Sequence, residues 1–191
     1  MKLIVFFLTL FSFQFLTAQQ NEIERLLLIE NKYEDFLLNY QKKAKDSLSF
    51  LPKTEREVIM FTQEQEIIKR QKREEDEILA KLKLLESTIK SKDFGPCPNL
   101  STNTPSFGKR KKKFKATEDP FEKSNKQSKS TLVTFVIDAE GNVSQVSAEG
   151  DNAEFNREIV LTMYKNGKLQ PHCNNGIARK TRFSLPVKYK P

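Results

Sequence analysis

TFVIDAEGNVSQVSAEGDNAEFNREIV, Thr134 to Val160, reads as strand, turn, strand and helix with almost no residue to spare between them. Val133, Phe135 and Ile137 alternate with Thr134, Val136 and Asp138, the period of a strand buried more on one side than the other. Ala139 to Asn142 form a tight reversal in which Gly141 is the residue able to take a positive φ, and Val143 to Ala148 return as a second strand. Asp151 stands three residues before Glu154, a helix start signal, and Phe155, Ile159, Val160 and Met163 then share one face until Asn166 and Gly167 end the helix. Beyond a loop at Pro171 to Gly176, TRFSLPVKY alternates strictly, with Phe183, Leu185, Val187 and Tyr189 on one face and Arg182, Ser184, Pro186 and Lys188 on the other. Proline cannot donate to a ladder, so Pro186 belongs on a sheet edge or at a bulge. The expected fold class of residues 131–191 is therefore α+β: a three-stranded antiparallel sheet with one helix packed on it in two layers.

Upstream the composition changes twice. Residues 93–130 hold Pro, Gly, Ser, Asn and a run of lysines without any apolar period, which reads as a flexible basic linker. Residues 19–92 contain one proline, Pro52, and no glycine, so they read as helical. Leu26, Ile29, Tyr33, Leu37, Tyr40, Ala44, Leu48 and Leu51 recur at helical spacing, as do Val58, Phe61, Ile68, Ile78, Leu82, Leu85 and Ile89. Thr54 and Glu57 after Pro52 form a capping-box pattern that would start a second helix. A hairpin folded at Pro52 fits this pattern best, and one strand of a coiled-coil homodimer is the alternative. KRQKREEDE, Lys69 to Glu77, has no apolar anchor and reads as a solvated helix held by opposite charges three and four residues apart.

The chain opens with Lys2 and an apolar run from Leu3 to Leu16, followed by Ala18, the layout of a signal peptide spanning residues 1–18. As a helix the run would cover roughly 21 Å against a hydrocarbon core of about 30 Å, so cleavage is expected rather than an uncleaved anchor. The expected location is periplasmic or secreted, with the periplasmic face of the inner membrane as the alternative.

The formal charge of +8 is unevenly placed. Residues 19–92 balance 15 basic against 15 acidic side chains, whereas residues 93–130 carry nine against four. The excess is local, and its densest part is Lys109, Arg110, Lys111, Lys112, Lys113 and Lys115. Such a run suits an anionic envelope surface, or serves as a plain solvated tether. Nucleic acid is not expected as a partner, because no helix-turn-helix, RRM or zinc-finger pattern accompanies the charge.

Export would place Cys97 and Cys173 where disulfides form, and one intramolecular pairing is available, with free or intermolecular thiols as the alternative. His172 beside Cys173 invites comparison with a thiol enzyme or a metal site. With one histidine in the chain the donor set is too sparse, and no phosphate-binding glycine loop, Gly-x-Ser-x-Gly or His-Glu-x-x-His occurs. No catalytic residue, metal or cofactor is expected.

Three motifs in order carry a resemblance: Asp138 with Gly141 between two strands, Pro171 with Asn175-Gly176 after a helix, and Leu185-Pro186-Val187 with Tyr189 in the last strand. Residues 131–190 thereby resemble the C-terminal domain of the TonB energy-transducer family, in the form common among Bacteroidota proteins. The resemblance implies a periplasmic, non-catalytic domain that binds a protein partner, such as a segment of an outer-membrane receptor, as an added strand on a free sheet edge. On that reading Thr181, Arg182, Ser184 and Lys188 of the third strand would meet the partner. A charged helical segment and a lysine-rich linker stand where a transducer has a proline-rich rod. A soluble exported relative is therefore expected, with an anchored energy transducer or a coiled-coil envelope scaffold as alternatives.

Overall fold

The computed structural model of the chain describes residues 2–88, 91–99 and 128–189, with side chains from residue 18 onward in the first helix. Two long helices, α1 (Lys2–Ser47) and α2 (Lys53–Thr88), precede a short strand β1 (Phe94–Pro96). Then come β2 (Lys129–Ile137), β3 (Val143–Glu149), α3 (Ala153–Lys165), β4 (His172–Asn174), β5 (Ile177–Arg179) and β6 (Thr181–Tyr189). The chain divides into two compact units; one holds residues 25–78, and the other holds residues 79–99 and 128–189 together with the start of α1.

Residues 25–78 are an antiparallel helical hairpin. Leu26, Ile29, Tyr33, Leu37 and Ala44 of α1 are buried, as are Met60, Ile67 and Ile78 of α2. The register is visible in the polar contacts: the Tyr33 hydroxyl donates to Glu74 at 2.5 Å, and Gln41 Nε2 donates to Glu64 at 2.8 Å. An early residue of one helix thus meets a late residue of the other, the pairing of a chain folded back at Pro52. Glu64 is fully buried within this seam, where its bond to Gln41 offsets part of its desolvation and fixes the register. α2 begins at Lys53, with Arg56 N–H bonding Pro52 C=O at 3.1 Å. Thr54 therefore lies inside the first turn instead of capping it.

The second unit contains two antiparallel three-stranded sheets. The larger is built from the three strands that the alternation predicts, in the order β3-β2-β6. α3 covers one of its faces, burying Phe155, Ile159 and Met163 over Val133, Phe135 and Ile137. Phe183 stacks on Phe135 with ring centroids 5.6 Å apart, and Tyr189 meets Phe155 at 6.5 Å. Gly141 takes φ 86°, and the Asp138 carboxylate accepts the Glu140 and Asn142 N–H groups at 2.9 Å. A short carboxylate at that position satisfies the turn's own donors, which explains the Asp-x-x-Gly spacing. The cap of α3 differs from expectation: Asn152, not Asp151, accepts the Phe155 N–H at 2.8 Å.

The smaller sheet, order β1-β5-β4, falls where composition predicts linker and loop. Phe94–Pro96 pairs with Ile177–Arg179, so the segment from Asp93 is part of this unit rather than of a free linker. Lys92 and Asp93 carbonyls accept the N–H groups of Ala139 and Lys180, and Cys97 N–H bonds Gly176 C=O. β4 and β5 form a two-residue hairpin through Asn175 (φ 51°) and Gly176 (φ 77°). Asn-Gly is the strongest short hairpin signal in a sequence; here the strands are only three residues each, too short for alternation to register. Cys97 and Cys173 are joined in a disulfide with Cα atoms 5.9 Å apart, which staples β4 to the chain just beyond β1.

Candidate partner-binding edge

β6 pairs with β2 along all nine residues, and among the described residues its other edge is unpaired. In an antiparallel ladder a residue's N–H and C=O point to the same side, and neighbouring residues point to opposite sides. Pro186 has no N–H, so the inward set that bonds β2 is carried by Phe183, Leu185 and Val187. The outward set then belongs to Arg182, Ser184, Pro186 and Lys188, with three donors and four acceptors. An incoming strand finds a gap opposite Pro186, which restricts the registers it can adopt.

The side chains of this outward set stand on the sheet face that α3 leaves open, opposite Val136, Thr134, Leu132 and Ser130 of β2. Ser184 and Lys188 are exposed there. Leu132 beside them is 46% exposed, and the Thr134 and Ser147 hydroxyls bond each other at 2.6 Å. This face is apolar and hydroxylic at its centre, cationic along its β6 rim and acidic at Glu149, which stands opposite Leu132 on β3.

Arg182 is also exposed but already engaged: its Nη2 donates to Gln145 Oε1 at 3.0 Å. Gln145 lies on β3, so the guanidinium reaches across the central strand above Val136, which is buried. Thr181 is placed differently from the other three. It is half-buried opposite Ile137, on the parity of the α3 face, and its hydroxyl bonds the Arg179 carbonyl at 3.1 Å. Of the four residues expected to meet a partner, the structure thus leaves Ser184 and Lys188 open, ties Arg182 to the sheet and turns Thr181 inward.

Gln145 is a feature that sequence reading missed. It occupies the left-handed region with φ 52°, at the irregularity in β2–β3 pairing between Thr134 and Val136. A bulge there swings its backbone N–H out of the ladder, and Glu86 of α2 accepts it at 3.0 Å. Burial, the largest influence, pushes the Glu86 carboxyl up from its ordinary value, against the lowering effect of the Gln145 N–H. Tyr164 is 1% exposed beside it, and burial followed by the Glu86 charge pushes its phenol well above the ordinary range. Glu86 Oε1 and the Tyr164 hydroxyl lie close enough to influence each other, yet neither has a partner of ordinary hydrogen-bond geometry among the described residues. Helix periodicity places Val160 on the buried face of α3, but it is only half-buried; Leu161 and Tyr164 are buried instead, because α3 has a second covered side.

Lys109, Arg110, Lys111, Lys112, Lys113 and Lys115 lie outside the described residues. Cys173 spends its sulfur in the disulfide and offers no nucleophile beside His172. Among the described residues no cluster of His, Cys, Asp and Glu is arranged to hold a metal, and no helix is long and apolar enough to cross a membrane. Compared with protein-family models, curated proteins and solved structures, the chain matches none.

Proposed function

We propose that this chain is an exported, non-catalytic binding protein of TonB-like type, whose β6 edge takes up an extended segment of a protein partner as an added strand. The observation that carries the reading is the outer edge of β6, unpaired among the described residues and nine residues long in a sheet of three. Edge strands invite pairing unless they are short, covered or interrupted. Here the one interruption, Pro186, leaves Arg182, Ser184 and Lys188 as outward donors, and backbone bonding would supply the affinity. The cationic rim favours a partner segment with acidic side chains at alternate positions. The disulfide accords with an extracytoplasmic site of action, and a signal peptide over residues 1–18 would deliver the chain there.

A photo-crosslinking side chain at Lys188, introduced in the native cell, tests the proposal. The expected result is a discrete protein adduct in the envelope fraction that Ser184→Pro abolishes while the fold is kept. An adduct indifferent to Ser184→Pro would show that backbone pairing is not the mode of recognition.

A further inference from the structure

The turn between α1 and α2 closes the hairpin on an unusual choice of residues, Leu48-Ser49-Phe50-Leu51-Pro52. Turns are ordinarily built from Gly, Pro, Asn, Asp and Ser, so Ser49 and Pro52 are expected there and the apolar Leu48, Phe50 and Leu51 are not. Here the backbone is well bonded: Leu48 N–H reaches Ala44 C=O at 2.9 Å, and Leu51 N–H reaches Leu48 C=O at 3.1 Å. The Ser49 hydroxyl adds a bond to Asp46 C=O at 2.8 Å. Leu48 and Leu51 are half-buried and hold the turn, whereas Phe50 is 78% exposed at the apex, the most exposed large apolar side chain among the described residues.

The charge around Phe50 differs from that of the helices leading to it. Residues 42–56 carry five basic side chains, Lys42, Lys43, Lys45, Lys53 and Arg56, against two acidic ones, Asp46 and Glu55. The rest of the hairpin, residues 25–41 and 57–78, carries six basic against ten acidic. Lys53 is loosely paired with Glu57 at 3.9 Å; Lys42, Lys43, Lys45 and Arg56 enter no ion pair among the described residues. A bonded turn therefore presents one protruding aromatic ring, flanked in sequence on both sides by cations, at the end of an otherwise acidic hairpin.

We infer that the hairpin apex is a membrane-surface contact, in which Phe50 enters the interface of an anionic phospholipid bilayer and the surrounding lysines meet the headgroup phosphates. An aromatic ring gains by leaving water for the boundary between headgroup and acyl chain, while long lysine stems keep their charges at headgroup level. Basic side chains near such a surface add attraction one by one. The acidic shaft would be repelled by the same surface, so contact is confined to the tip and the hairpin stands away from the bilayer. The contact needs nothing from β6.

The chain contains no tryptophan, so Phe50→Trp of the full-length protein carries a single reporter at the apex. At so exposed a position the exchange leaves the fold intact, which far-ultraviolet circular dichroism checks. Phe36→Trp, at an exposed site on the shaft of α1, is the control. With phosphatidylglycerol-containing vesicles at low salt, the expected result is a blue-shifted emission from position 50, quenched by brominated acyl chains, and an unshifted emission from position 36. Exchange of Lys42, Lys43 or Lys45 for glutamine should weaken the titration of the position-50 signal by about fivefold each. An unshifted position 50 overturns the inference, as do equal shifts with pure phosphatidylcholine, equal shifts at both positions, or a concentration-dependent shift without vesicles, which would mark self-association.

Discussion

Glu86 and Tyr33 show how a single side chain sets the response of each unit to pH. The folded state holds the Glu86 proton more tightly than the unfolded chain does, because burial penalises the carboxylate. Stability is therefore highest below the ordinary value of 4.5 and declines as pH rises through the raised one. Glu86→Gln should remove that decline and, near neutral pH, stabilise by about 1 kcal/mol or less, since the group is only half-buried. Its amide can donate to the Tyr164 hydroxyl, and thermal melts followed upward from pH 4.5 would check both effects. Glu74 has the opposite sign. The Tyr33 hydroxyl, with Lys32 at 3.2 Å, holds its carboxyl below 4.5, so this contribution is present above that value and lost as pH falls. Burial and the bond to Glu74 push the Tyr33 phenol up to about 12, so it stays a donor at all ordinary pH. Tyr33→Phe should cost the hairpin about 1 kcal/mol at neutral pH and less in acid, measured by urea denaturation. Neither pair was legible in the sequence. Tyr33 reads only as a member of an apolar stripe, and Glu86 as one more charge on a polar helix, because contacts 41 and 59 residues distant leave no local period.

At the level of elements, the order strand, turn, strand, helix, strand could be read directly, since each piece of 131–191 is long enough to show its own period. β2 and β6 are nine residues each and α3 is 13, and all three lie where alternation or helical spacing puts them. Pro186 narrowed the place of β6 to an edge or a bulge, and the edge is what the sheet order shows. The smaller sheet was not: three-residue strands carry no alternation, and β1 is recruited by pairing and a disulfide rather than by its own propensity. The alternation of inward and outward backbone groups along β6 separates two neighbouring substitutions. Ser184→Pro removes an outward donor and should leave the melting temperature nearly unchanged. Leu185→Pro removes an inward donor and should cost about 2 kcal/mol or more in the same melts. If Ser184→Pro proved as damaging as Leu185→Pro, the assignment of inward and outward residues would be reversed.

Across the whole molecule, composition divides the chain at about residue 92, whereas packing groups residues 79–99 with the C-terminal sheets. The difference arises because composition registers where glycine and proline begin, and not that Glu86, Lys92 and Cys97 each bond into the sheets beyond. The disulfide makes this attachment covalent across 76 residues. Cys173→Ser should therefore destabilise the unit by about 4 kcal/mol in the chain-entropy account, and a reductant should do the same to the native protein, as denaturation curves would show. The stapled unit serves the proposed function by holding β6 in place while its outer edge stays open. Residue-resolved amide exchange along β6 tests that claim most directly, in the purified protein and in the complex captured at Lys188. The account predicts slow exchange at Phe183, Leu185 and Val187 throughout, with fast exchange at Arg182, Ser184 and Lys188 in the free protein that becomes slow in the complex. Outward amides already protected in the free protein, or still fast in the complex, would contradict it.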